Sequence, residues 1–206
     1  ARPLSHPINL GTGHWYLYAR LADGDIVEIE GVPYAPLDTS PWLAHVAFVS
    51  TDVARISNFY QQLTGMTIRQ GQRIGPNPRF DTGLQLHGAQ MQPAWVVGAN
   101  LTIECWQFFQ PATHAMPQIP YAYRDIGFVV TDVAAWCQAA VASGAQVLTA
   151  TPDRATLRDP DGNTLTITHA TALDPRLTTV ADPQIIARIN SAWRPFDATI
   201  SWEDDI

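Results

Sequence analysis

The chain has 206 residues, 46% of them hydrophobic and 10% aromatic, which is enough to bury a core in one large domain or two small ones and excludes a disordered polymer. Nineteen acidic residues against twelve basic ones give a formal charge of −7, which argues against nucleic acid and against an anionic membrane as partners. No apolar run approaches the roughly 20 residues that cross a bilayer, and Cys105 and Cys137 are too few for a disulfide framework.

Residues 1–41 read as the C-terminal part of an incomplete βαβββ module followed by a linker. Trp15, Leu17 and Ala19 alternate with Tyr16, Tyr18 and Arg20, the period of a strand. Asp23-Gly24-Asp25 is a hairpin turn, because Gly tolerates positive φ. The strand after it puts Ile26, Glu28 and Glu30 on one face and Val27 and Ile29 on the other. The stretch 31–41, with three prolines and a glycine, is the linker.

Residues 42–110 read as a complete module. In its first strand Val46 and Phe48 face one side, and His45, Ala47 and Val49 the other. Asp52 is placed to cap a helix whose apolar face holds Val53, Ile56, Phe59 or Tyr60, and Leu63, with Gly65 at its end. Strands are expected near 67–73, 83–88 and 94–108, the last being either two strands or one with a bulge at Gly98. Residues 73–83, RIGPNPRFDTG, are expected to be a loop.

Residues 111–169 read as a Pro-rich linker and a second complete, partly degenerate module. Residues 170–206 form a tail, with Asp182-Pro183 opening a helix striped by Ile185, Ile186, Ile189 and Trp193. Both cysteines lie in apolar periodic segments and are expected to be buried free thiols. The chain opens on Ala rather than Met, so something upstream is expected to have been removed or omitted. Cytoplasmic localisation is favoured, with a periplasmic or secreted one left open.

The modules are tied together by repetition. Phe48, Val49, Thr51, Asp52, Val53 and Ala54 recur as Phe128, Val129, Thr131, Asp132, Val133 and Ala134. Asp23-Gly24-Asp25-Ile26-Val27-Glu28-Ile29 recurs as Asp161-Gly162-Asn163-Thr164-Leu165-Thr166-Ile167. A strand–helix unit at a fixed period indicates a modular fold.

The order strand, helix and three strands, ending in Asp159-Pro160-Asp161-Gly162-Asn163 before an apolar strand, resembles the vicinal oxygen chelate superfamily, over residues 1–169. That superfamily includes glyoxalase I, bleomycin-resistance proteins, methylmalonyl-CoA epimerase and extradiol dioxygenases. The resemblance implies an α+β fold in which paired βαβββ modules form a curved, half-open mixed-sheet barrel with helices on its outer face. It also implies a divalent metal ion (Zn, Fe, Mn or Ni), held by the first and last strands of each module. Carried over by position, the metal ligands are His45 and Asp125 from first strands, and Glu28 and Glu104 from last strands. Thr166 occupies the remaining last-strand position and cannot serve as an anionic ligand.

One imidazole with two carboxylates suits such a metal. Two sets are open. If the complete modules pair, the site is His45, Glu104 and Asp125; this is slightly favoured, because those modules can close a barrel by themselves. If the N-terminal fragment pairs with module 42–110, the site is Glu28, His45 and Glu104. Glu104 is the catalytic candidate, since an ionised Glu within LTIECWQFF is rarely buried without a role. Asp125 has a plain alternative as a surface ion pair with Arg124. His87 is a second acid–base candidate, with an edge or turn histidine as its ordinary reading. His6, His14, His114 and His169 have weaker cases, and Tyr121, Tyr123, Trp95, Trp106 and Phe108 are candidates for apolar walls.

The implied activity is isomerase or lyase chemistry on a small oxygen-rich substrate, through a metal-bound enolate, with a glutamate moving the proton. The alternatives are a metal-free small-molecule-binding protein of the bleomycin-resistance type, an extradiol dioxygenase, and a dimerisation module of a longer enzyme. The dioxygenase reading is weaker, because the matched positions supply one His rather than two. The expected partner is a small molecule, and the expected assembly is a homodimer.

Overall fold

Period-two alternation builds the first sheet in the computed structural model, which describes residues 1–31, 43–98, 101–114 and 125–172, together with Gln184. Strand β3 (Trp15–Arg20) pairs along its whole length with β4 (Ile26–Gly31). The other edge of β3 is shared end to end by two short strands, β1 (Arg2–Pro3) and β2 (Ile8–Asn9). Gly24 makes the β3–β4 turn at φ +99°, with Leu21 N donating to Asp25 O over 2.7 Å.

The second sheet follows the order β5-β8-β7-β6. Its elements are β5 (His45–Val49), α1 (Val53–Thr64), β6 (Thr67–Gln70), α2 (Pro78–Leu84), β7 (Gln90–Val97) and β8 (Thr102–Gln110). Asp52 caps α1 by accepting from Arg55 N, and Gly65 ends it in the left-handed conformation, φ 69°. The third sheet repeats the topology with β9 (Asp125–Val130), α3 (Val133–Ala142), β10 (Gln146–Ala150), β11 (Arg154–Arg158) and β12 (Thr164–His169), in the order β9-β12-β11-β10. In both sheets the first and last strands run parallel and the other pairings are antiparallel. Mixed sheets with helices make the fold α+β, and no sheet closes into a barrel among the described residues.

The expectations fail locally between residues 71 and 93. The stretch expected as a loop followed by a strand at 83–88 contains α2 instead. Asn77 caps that helix with its side chain, Pro78 occupies the first turn, and Asp81 then accepts hydrogen bonds from Gly88 N and Ala89 N. A cap, a pre-set φ and a carboxylate that ties down the exit outweigh the strand propensity of the following residues. His87 therefore lies exposed in the turn after α2, not on a middle strand. The strand expected over 67–73 stops at Gln70, and the apolar stretch near 94–108 is two strands. The tail helix, most of the two linkers, Tyr121, Tyr123 and Arg124 fall outside the described residues.

One apolar core joins the second and third sheets. Ile56, Phe59 and Tyr60 of α1 pack with Val96, Ile103 and Cys105 beneath them, and with Leu157, Leu165 and Ile167 from the third sheet. The Tyr60 ring stacks between Phe48 at 6.0 Å and Phe128 at 6.5 Å. Polar contacts fix the seam: Tyr60 Oη donates to Asp159 Oδ2 over 2.8 Å, and Asp161 accepts from Ser50 and pairs with Arg55. A second core cluster of Ile8, Leu10, Tyr16, Phe80, Ala89 and Met91 attaches the first sheet to α2 and β7. The second sheet thus meets the third on its Val46/Phe48 side and the first on its other side. Both cysteines are buried and free.

Candidate metal centre

Strands β5 and β8 are parallel neighbours with Ala47 opposite Glu104 and His45 opposite Thr102. Alternation then turns His45 and Glu104 to the same face, two positions apart. Strand β4 supplies the opposing wall, and its alternation aims both Glu28 and Glu30 at His45. His45 Nε2 lies 2.9 Å from Glu28 Oε2 and 3.7 Å from Glu104 Oε2, while His45 Nδ1 lies 3.8 Å from Glu30 Oε2. One ligand atom each from Glu28, His45 and Glu104 lie within 4.8 Å of one another.

The surroundings are apolar and aromatic. Trp95 sits opposite Glu104 across β7 and β8 and donates Nε1–H to Glu104 Oε1 over 2.5 Å. That bond occupies one carboxylate oxygen and leaves the other toward His45. Trp106 packs edge-on to Trp95 at 6.4 Å, and the Arg69 guanidinium lies 4.6 Å over the Trp95 ring. Tyr18, the register partner of Glu28, hydrogen-bonds to it.

Burial and like charge push the Glu104 carboxyl up to about 7. Burial contributes most and the Glu28 carboxylate next, against the pull of His45 and of the Trp106 and Trp95 N–H groups. Burial alone would lower His45. The Glu28 hydrogen bond and the charges of Glu104, Glu28 and Glu30 outweigh it and raise the imidazole to about 9. Burial would likewise raise Glu30, but the His14 hydrogen bond and the His45 and His14 charges hold it below the usual range.

Of the sequence candidates, the structure brings together Glu28, His45 and Glu104 and leaves Asp125 and His87 outside the group. Asp125 accepts a hydrogen bond from Thr166 Oγ1 over 2.7 Å, so the two weakened positions of the third sheet satisfy each other. The slightly favoured set with Asp125 is thus not the one assembled. The reason lies in packing: the third sheet joins the core on the Val46/Phe48 side of β5, away from His45. Glu30 is the residue that sequence reasoning passed over, and His14 is one it ranked among the weaker histidines. Glu30 was legible as the next residue on the Glu28 face; His14 was not, since its burial is set by tertiary packing.

The donor set fits a divalent transition metal. It offers one imidazole nitrogen and two carboxylate oxygens, whose charges neutralise the ion, on three strands held by backbone pairing.

Residues 45–168 match the family model described as a glyoxalase-like domain. The chain belongs to this family, and so to the vicinal oxygen chelate superfamily. Among solved structures, glyoxalase I from Zea mays is 17% identical, with a TM-score of 0.57, 83% of this chain covered and 60% of that one. A glyoxalase family protein from Bacillus cereus is 15% identical, with a TM-score of 0.51, covering 66% of this chain and 98% of that one. At these identities the likeness is one of fold. No curated protein matches the chain by sequence. Within this glyoxalase-like chain Glu28 lies upstream of the matched span, so the three-residue group draws one member from outside it.

Proposed function

We propose that this glyoxalase-like chain is a divalent-metal-dependent enzyme, an isomerase or lyase that moves a proton on a small oxygen-rich substrate. The observation that carries this reading is the convergence of Glu28, His45 and Glu104 from three strands onto one point. These three residues would hold the metal, which as a Lewis acid would polarise substrate oxygens. Glu104 is the proton carrier. Its Oε2 is turned toward His45 and the point where the three residues converge, beside a substrate held there. Trp95 fixes the orientation of that carboxyl through Oε1. Trp95 and Trp106 supply an apolar wall that limits water near the reacting atoms. The test is metal content of the purified protein together with turnover on a panel of small oxygen-rich carbonyl compounds. About one equivalent of metal, lost in His45→Ala, supports the reading; a protein that takes up no transition metal defeats it.

A second reading has its own observation. The direct His45–Glu28 hydrogen bond at 2.9 Å already gives His45 a compensating charge. That favours a metal-free small-molecule-binding protein, in which His45 and Glu104 orient a ligand beside Trp95 and Trp106. Ligand retention unchanged by chelator and by metal would support it.

A further inference from the structure

We infer that Glu30, backed by His14, positions His45 for the metal by accepting its Nδ1–H, so that Nε2 is the atom presented to the ion. The inference rests on the metal reading above and concerns residues outside the ligand set. The His45 ring lies between the two carboxylates of β4: Nε2 faces Glu28 and Glu104, and Nδ1 faces Glu30 Oε2 at 3.8 Å. The other oxygen of Glu30 faces His14 Nδ1 at 3.7 Å. His14 is 1% exposed and is set in place by its own backbone N–H bond to Thr12 Oγ1, which in turn bonds Tyr16 Oη over 2.7 Å. Tyr16 is the register partner of Glu30 across β3 and β4. The array therefore runs Tyr16, Thr12, His14, Glu30, His45, with each member placed by the fold.

The repeat sharpens the point. The position of Glu30 is held by Trp106 in β8 and by Thr168 in β12, two residues past Glu104 and Thr166. Only β4, which faces His45, carries a carboxylate there. A ligating imidazole that donates its second N–H to a carboxylate is fixed in tautomer and orientation and becomes a better donor, and loss of such a partner weakens metal binding about 10–100-fold.

The test measures zinc affinity by competition with a chromophoric chelator for the unmodified protein, Glu30→Ala, Glu30→Gln and His45→Ala. Nitrogen-15 NMR of the imidazoles in the zinc-loaded protein accompanies it. Expected are a 10–100-fold weaker affinity in Glu30→Ala and a smaller loss in Glu30→Gln, which keeps an acceptor oxygen. The His45 spectrum should show a zinc-bound Nε2 and an Nδ1–H whose proton resonance moves upfield in Glu30→Gln and Glu30→Ala, a signature that a merely structural role would not move. If Glu30→Ala fails to fold, Glu30→Gln and the spectrum decide. Zinc loading that is lost in His45→Ala and unchanged in both Glu30 variants overturns this inference alone, as does zinc on Nδ1. An unmodified protein that binds no zinc overturns this inference and the metal reading together.

Discussion

His45 Nε2 and Glu28 Oε2 stand 2.9 Å apart on strands from two different sheets, and this hydrogen bond leads the interactions that raise His45 in the metal-free protein. The folded state raises His45 from its ordinary 6.5 to about 9, so it favours the protonated ring. That stabilisation is full below about pH 6.5 and is lost as the pH rises through about 9. At full size it is roughly 3 kcal/mol. Melting curves in excess chelator between pH 6 and 10 should show stability falling across this window, and His45→Gln should flatten the fall. The same slope in the variant would rule out His45 as its source.

Glu104→Gln should separate function from stability. The Glu104 carboxyl is raised from 4.5 to about 7, so the fold favours its protonated form. Its contribution is greatest below about pH 4.5 and is lost as the pH rises through about 7. Gln mimics the protonated acid. Without metal the variant should match the unmodified protein near pH 4 and exceed it by roughly 1–2 kcal/mol at pH 8, part of the gain being offset by lost attraction to His45. Turnover should fall at least 100-fold. Equal melting temperatures at pH 8 would show that Glu104 is not held against its charge.

Asp125→Ala and Glu28→Ala should diverge. Asp125 is engaged by Thr166, whereas Glu28 is in the three-residue group. Isothermal titration with zinc should show unchanged affinity in the first variant and a loss of 100-fold or more in the second. The reverse pattern would move the site to the third sheet.

Tyr60→Phe tests the seam between the second and third sheets. The ring is fully buried, and its hydroxyl donates to Asp159, whose carboxyl burial pushes up despite that bond. Removing the donor should cost about 1–3 kcal/mol in denaturant unfolding, with zinc affinity unaffected because the seam lies on the face of β5 away from His45. A cost near zero would mean that the Asn163 and Asp161 N–H bonds satisfy Asp159 without Tyr60.

Much of this arrangement was legible in the sequence. The repeated Thr-Asp helix entry and the Asp-Gly turns gave two strand–helix units and two turn–strand endings, and the family resemblance placed His45, Glu104 and Glu28 at ligand positions. The choice of Glu28 over Asp125 was not legible, because it depends on which sheet faces His45, and the packing of distant segments decides that. Helix α2 was hidden because its stretch is short and punctuated by Gly and Pro. Its signal was local, in Asn77-Pro78, and the Asp81 bonds that complete it span seven and eight residues. His87 was misplaced for the same reason. His14 looked ordinary because nothing in its neighbours announces that the turn before β3 buries it beside Glu30.

The most direct test is anomalous diffraction from crystals grown with zinc or cobalt, recorded on both sides of the metal edge. The expected result is one strong peak between Glu28, His45 and Glu104, about 2.0–2.2 Å from His45 Nε2 and from a carboxylate oxygen of each glutamate. A density map with no peak there, and with His45 still hydrogen-bonded to Glu28, would contradict the metal centre.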